Sequence, residues 1–78
     1  MTTNANKPVK QFRINGVSAA VWKREKDGKT FYSVSLERSY RNQEGAWKRT
    51  NTFSQEELAV VLRLAAKAEA HIDELTAA

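Results

Sequence analysis

Two dipeptides, Asn15-Gly16 and Asp27-Gly28, constrain this chain more than any other feature. Each is a preferred pair for a two-residue β-hairpin loop, whose central positions take positive φ that Asn, Asp and Gly tolerate. Each loop also fixes a register, and directly opposed residues share a face of the sheet. Closing the first loop sets Ile14 against Val17 and Phe12 against Ala19. Closing the second sets Val21 against Val34 and Ala19 against Leu36. Both loops thus gather Phe12, Ile14, Val17, Ala19, Val21, Val34 and Leu36 on one face. "NQEG" at 42–45 supplies a third, longer loop ending in Gly45. The intervening segments "VKQFRI", "VSAAVWKRE", "KTFYSVSLERSYR" and "AWKRTNTF" are rich in β-branched and aromatic residues, which suits strands. The pattern predicts four antiparallel strands in a meander.

From Ser54 the apolar period changes to that of a helix. "SQEE" is a capping box, with Ser54 as N-cap and Glu57 three residues on, and Phe53 and Leu58 form a hydrophobic staple across it. Leu58, Val61, Leu62, Ala65, Ala68 or Glu69, Ile72 and Leu75 recur at helical spacing. Val60 and Leu64 broaden that stripe. The spacing predicts a helix over 55–75, packed on the apolar sheet face, with residues 76–78 fraying. The fold class is α+β, ββββα: a four-stranded antiparallel meander followed by one long C-terminal helix. It forms a single domain over 9–76, preceded by a mobile tail over 1–8.

Seventy-eight residues build a core worth only about 3–5 kcal/mol, and a second copy is a common remedy. A 21-residue helix spans about 31 Å, whereas a seven-residue strand spans about 23 Å. The helix is therefore expected to overhang the sheet by some two turns, rich in alanine. That overhang predicts a homodimer through Leu64, Ala65, Ala68, Ile72 and Leu75.

Charge is unevenly placed. Residues 1–53 hold 11 Lys+Arg against 4 Asp+Glu, and residues 54–78 hold 2 against 5. The sheet is strongly basic and the helix acidic, which favours phosphate-bearing partners for the sheet. The sheet face opposite the helix receives Trp22, Arg24, Phe31, Ser33 and Ser35, with Arg13 beside them, and no second helix follows to cover it. Exposed rings stack on bases while cations follow phosphates, the pattern that single-stranded nucleic acid requires. A surface cation–π pair between Arg24 and Phe31, or a protein–protein contact, uses the same residues. With 42–45 as the loop, Tyr40 is expected to face Trp47, Arg38 to face Arg49, and Val34 to face Phe53. Two arginines directly opposed repel each other unless an anion lies between them. Arg38, Tyr40, Arg41, Trp47, Lys48 and Arg49 therefore join the candidate site.

The segment "KDGKTFYSVSLERSYRNQEGAWKRTNTFSQEEL" and its ββββα order resemble the single-stranded-DNA-binding domain of the positive-cofactor-four type transcriptional coactivators. "YSVSLERSY" is similar to that family's apolar-to-charged strand, "NQEG" to its acidic turn and "WKRTNTFS" to its basic strand and helix cap. The basic strand is about two residues shorter than the family's and lacks its Pro-Gly insertion. The resemblance covers residues 28–63 and implies a dimer formed through the helix and single-strand binding that uses Tyr40, Lys48 and Arg49. The chain also resembles a group of small uncharacterised bacterial proteins carrying "VWKREKDGKTFYSVSLERSYRN". The strand–turn–strand is similar, too, to the duplex-reading sheet of phage-type integrases, although the first strand with its Asn15-Gly16 turn is foreign to that pattern.

Catalysis finds no support in the residues. His71 is the one histidine and has no ligand set around it, so no metal is expected. The three glycines serve turns, and no phosphate loop is present. No cofactor or small-molecule substrate is called for. The cysteine-free composition suits the cytoplasm, and neither a membrane span nor the apolar segment of a signal peptide is present. The expected function is non-enzymatic binding of single-stranded nucleic acid, DNA ahead of RNA. A duplex-DNA-binding sheet and a homodimeric protein-interaction module remain the alternatives.

Overall fold

The computed structural model describes residues 7–77. Most of the expected tail, residues 1–6, and Ala78 of the expected frayed end lie outside the described residues. The strands β1 (Lys10–Ile14), β2 (Val17–Lys26), β3 (Lys29–Arg41) and β4 (Trp47–Thr50) form one antiparallel sheet in the order β1-β2-β3-β4. A 3-10 turn over Gln55–Glu57 leads into α1 (Leu58–Thr76). The ββββα architecture is the expected one.

Both two-residue loops have the expected backbone. Asn15 and Gly16 have φ of 51° and 84°, and Asp27 and Gly28 have 54° and 76°. The resulting registers pair Phe12 with Ala19, Ile14 with Val17, Val21 with Val34 and Trp22 with Ser33. Local turn chemistry thus decides which side chains of β1, β2 and β3 share a face.

The third loop departs from expectation by one residue. Asn42 N–H donates to the Ala46 carbonyl at 2.9 Å, so the loop proper is Gln43–Gly45 and not 42–45. Gly45 N–H donates back to the Asn42 carbonyl at 3.0 Å, and Gly45 takes the left-handed conformation at φ 84°. The Asn42 Oδ1 also accepts the N–H groups of Glu44 and Ala46 at 3.0 and 2.9 Å. This is a three-residue loop with a closing left-handed glycine. The register that follows pairs Arg38 with Thr50, Ser39 with Arg49, Tyr40 with Lys48 and Arg41 with Trp47. Tyr40 does not face Trp47, Arg38 does not face Arg49, and β4 ends before Phe53 could pair with Val34. Because side chains alternate along a strand, the slip of one residue moves Trp47, Lys48 and Arg49 of β4 to the other face, while the β2–β3 register keeps Arg38 and Tyr40 on the face of Val34 and Leu36.

The helix packs on the apolar face as expected, but rolled. Leu64 and Ala68 are 0% and 1% exposed, and Leu64 packs with Val17 and Ala19 at the centre of the core. Phe12, Ile14, Leu36, Phe53, Val60 and Val61 surround that centre. Leu58 and Leu62 stand outside it, at 50% and 71% exposed. Apolar residues run round more of the helix than one sheet face can cover, so the best fit buries one flank of the arc and leaves the other open. The expected overhang is reversed. Nineteen helical residues reach about 28 Å, while ten and thirteen residues in β2 and β3 reach roughly 33 and 43 Å. The sheet outruns the helix.

The capping box forms at Ser54, and the Glu57 carboxylate accepts the Ser54 N–H at 2.8 Å. Arg38 joins it, with Nε 3.1 Å from Glu57 Oε1 and 3.3 Å from the Thr52 carbonyl it donates to. The Ser54 backbone N–H is the main influence holding the Glu57 carboxyl below its ordinary range. The Ser54 hydroxyl and the Arg38 charge act in the same direction, against partial desolvation. Arg38 therefore has a structural task, clasping β3 to the start of α1.

Candidate nucleic-acid interface

The open face of the sheet is built by alternation. Because Ala19, Val21, Val34 and Leu36 face the helix, Trp22, Arg24 and Lys26 of β2 face away from it. So do Phe31, Ser33, Ser35, Glu37, Ser39 and Arg41 of β3. The β4 register adds Trp47 and Arg49, and β1 adds Arg13. Of the expected site, seven residues therefore share the open face: Arg13, Trp22, Arg24, Phe31, Arg41, Trp47 and Arg49. Arg38, Tyr40 and Lys48 lie on the helix side instead, where Arg38 stacks over the Tyr40 ring at 5.5 Å. The β2–β3 register places Arg38 and Tyr40 there, in step with Val34 and Leu36, and the shifted third loop adds Lys48 and turns Trp47 and Arg49 to the open face.

The open face is not uniform. At the free end of the β2–β3 hairpin, Trp22 lies beside Phe31, which is 47% exposed and directly opposite Arg24. The indole N–H of Trp22 donates to Ser35 Oγ at 2.9 Å, which fixes the ring in one orientation. Lys26 and Lys29 face each other one step further out. Like charges directly opposed are unfavourable in a sheet, so the repulsion expected between Arg38 and Arg49 is found here instead. It was legible in the Asp27-Gly28 register, which sets these lysines together. Among the described residues, Arg13, Arg24, Lys26 and Lys29 make no salt bridge.

At the opposite end, Arg41 stacks over the Trp47 ring at 5.5 Å. Its Nε and Nη2 both donate to the Gly45 carbonyl at 3.3 Å. The guanidinium is held by the loop and in turn supports the indole, which remains 67% exposed. Arg49 Nη1 lies 3.8 Å from Glu37 Oε1. Between the two ends, Ser18, Ala20, Ser33, Ser35 and Ser39 contribute no large side chain, and Gln11, Arg13 and Glu37 lie among them.

On the other side of the sheet, α1 leaves part of β3 uncovered. A groove of about 560 Å³ runs between them, lined by Val34, Leu36, Leu62, Ala65, Ala66, Glu69, Ile72 and Asp73. Of the expected dimer contacts, Ala65 and Ile72 line this groove and Leu75 is 42% exposed, while Leu64 and Ala68 are consumed by the protomer core. His71 packs edge-on to Phe12, with ring centroids 6.2 Å apart. Among the described residues, no helix is long and apolar enough to cross a membrane.

Compared with family models, curated proteins and solved structures, the chain matches none significantly.

Proposed function

We propose that this chain is a non-enzymatic domain that binds single-stranded nucleic acid, DNA ahead of RNA, on the open face of its sheet. The placement of Trp22, Phe31 and Trp47 among arginines and lysines on one uncovered face carries this reading. Phe31 and Trp47 are exposed and Trp22 is half-buried. A ring face open to a base offers about 1–3 kcal/mol of stacking regardless of base identity, and the cations beside it meet phosphate. The serine floor leaves room for a strand to lie flat. Trp22 and Trp47 are the only tryptophans, so the site reports on itself. Titration with oligothymidine is expected to quench their fluorescence, with weaker binding to a duplex of equal length. Duplex bound more tightly than the single strand would point to a groove-reading sheet. No response to either would leave the protein-interaction alternative.

The groove between α1 and β3 supports a second part of this reading, a homodimer. Leu62, Ala65 and Ala66 form its apolar wall, and a two-fold axis beside them sets the two helices antiparallel with the same patch on both sides. The helix begins beside Arg38 and its later turns, Ile72 and Asp73, lie beside Val34. An antiparallel partner therefore brings Glu69 and Asp73 toward the end of the sheet that carries Tyr40 and Lys48. Acid meets base at both ends of the contact. Sedimentation of the wild type is expected to give twice the 8.8 kDa chain mass, and Leu62→Glu to give a folded monomer. A Leu62→Glu protein that still sediments as a dimer would rule out this surface.

A further inference from the structure

The two aromatic ends of the open face are far apart, and that separation sets a requirement on the ligand. Trp22 pairs with Ser33 and Trp47 with Arg41, eight residues apart along β3 and at most about 26 Å at 3.3 Å per residue. Phe31 stands two residues further out. The molecule has the room, since its longest dimension is 47 Å. One end holds Trp22, Phe31, Arg24, Lys26 and Lys29, and the other holds Trp47 with Arg41 and Arg49. Between them lie serines, Gln11, Glu37 and a single arginine, Arg13 on the edge strand β1, and no ring.

Resting on the single-strand reading above, we infer that the face is a bipartite site, two stacking stations that one strand must bridge. A strand stacked at about 3.4 Å per nucleotide needs roughly eight nucleotides to reach from one station to the other. A more extended strand needs fewer. A ligand too short to reach occupies one station at a time. Once the strand is long enough, occupation of the second station becomes intramolecular, and affinity rises by about 10²-fold or more without any new type of contact. The chemical class favoured is therefore a flexible single strand longer than this span. Mononucleotides, dinucleotides and short overhangs are disfavoured.

The test is a length series of oligothymidines of about 4, 8, 12 and 16 nucleotides, which brackets known single-strand footprints. Affinity is expected to rise in a step between the 4-mer and the 12-mer, then to flatten. Trp47→Ala removes an exposed ring and is expected to leave the thermal midpoint unchanged. It should abolish the step, reducing the 16-mer to the affinity of the 4-mer, whereas Trp47→Phe keeps a stacking ring and retains the step. Trp47→Phe also leaves Trp22 as the sole indole, so quenching in it reads the first station alone. Binding whose affinity shows no step with length, or a step that survives Trp47→Ala, overturns the bipartite site while the single-strand reading stands. Absence of binding at every length overturns both.

Discussion

Leu64→Ala is expected to leave the domain largely unfolded at 25 °C. Leu64 is 0% exposed and packs against Val17 and Ala19 at the one place where helix and sheet meet tightly. Truncating a buried leucine costs roughly 2–5 kcal/mol, because the lost transfer energy is joined by a cavity that the neighbours fill only partly. Domains of this size hold about 3–5 kcal/mol in total. The substitution therefore removes most of what there is. Leu58→Ala, at the half-exposed start of the same helix and away from the groove, is the control and should shift unfolding far less. Urea titration followed by circular dichroism, at one protein concentration for both, measures the difference. Comparable losses in the two variants would mean that the buried flank of α1 is not the one described.

The second large effect concerns salt. If the open face engages about four phosphates, the logarithm of affinity for a single strand should fall with the logarithm of salt with a slope near −2.8. Raising salt fourfold then weakens binding roughly 50-fold. Arg24, Lys26 and Lys29 are placed to supply most of this slope, since among the described residues they make no salt bridge, whereas Arg49 already lies 3.8 Å from Glu37. Replacing Lys26 and Lys29 by glutamine should flatten the slope by about 1.4 while leaving the stacking rings in place. That variant should also gain stability, because the two lysines repel each other across the hairpin. Binding that is tight and indifferent to salt would remove the phosphate from the account.

The sheet face opposite the helix is readable from residues alone at one end and not at the other. Trp22, Arg24 and Phe31 are placed by Asp27-Gly28, where two residues with positive φ leave only one way to pair the strands. Tyr40 and Trp47 are expected to share a face, and they do not. Asn42 is the reason. Its carbonyl and side chain together accept three loop N–H groups, which draws Asn42 into the hairpin and shortens the loop to three residues. One residue of slip turns Trp47, Lys48 and Arg49 over relative to β3, whose own faces are set by its pairing with β2. Arg38 then finds the Glu57 carboxylate, and Arg41 finds the Trp47 ring.

Read by itself, the sequence determined the order of elements, the pairing of β1, β2 and β3, the helix start at the Ser54–Glu57 box, and the face on which Trp22 and Phe31 lie. Each depends on interactions within a few residues, in which a dipeptide or a cap admits one geometry. Tertiary packing alone decided the roll of α1, the sheet outrunning the helix, and the uncovered groove beside β3. Leu58, Val60, Val61, Leu62 and Leu64 present apolar surface over a wide arc, and helical spacing ranks no part of that arc above another. Only the shape of the β1–β2 surface, with the small side chain of Ala19 making room beneath Leu64, selects the flank that is buried.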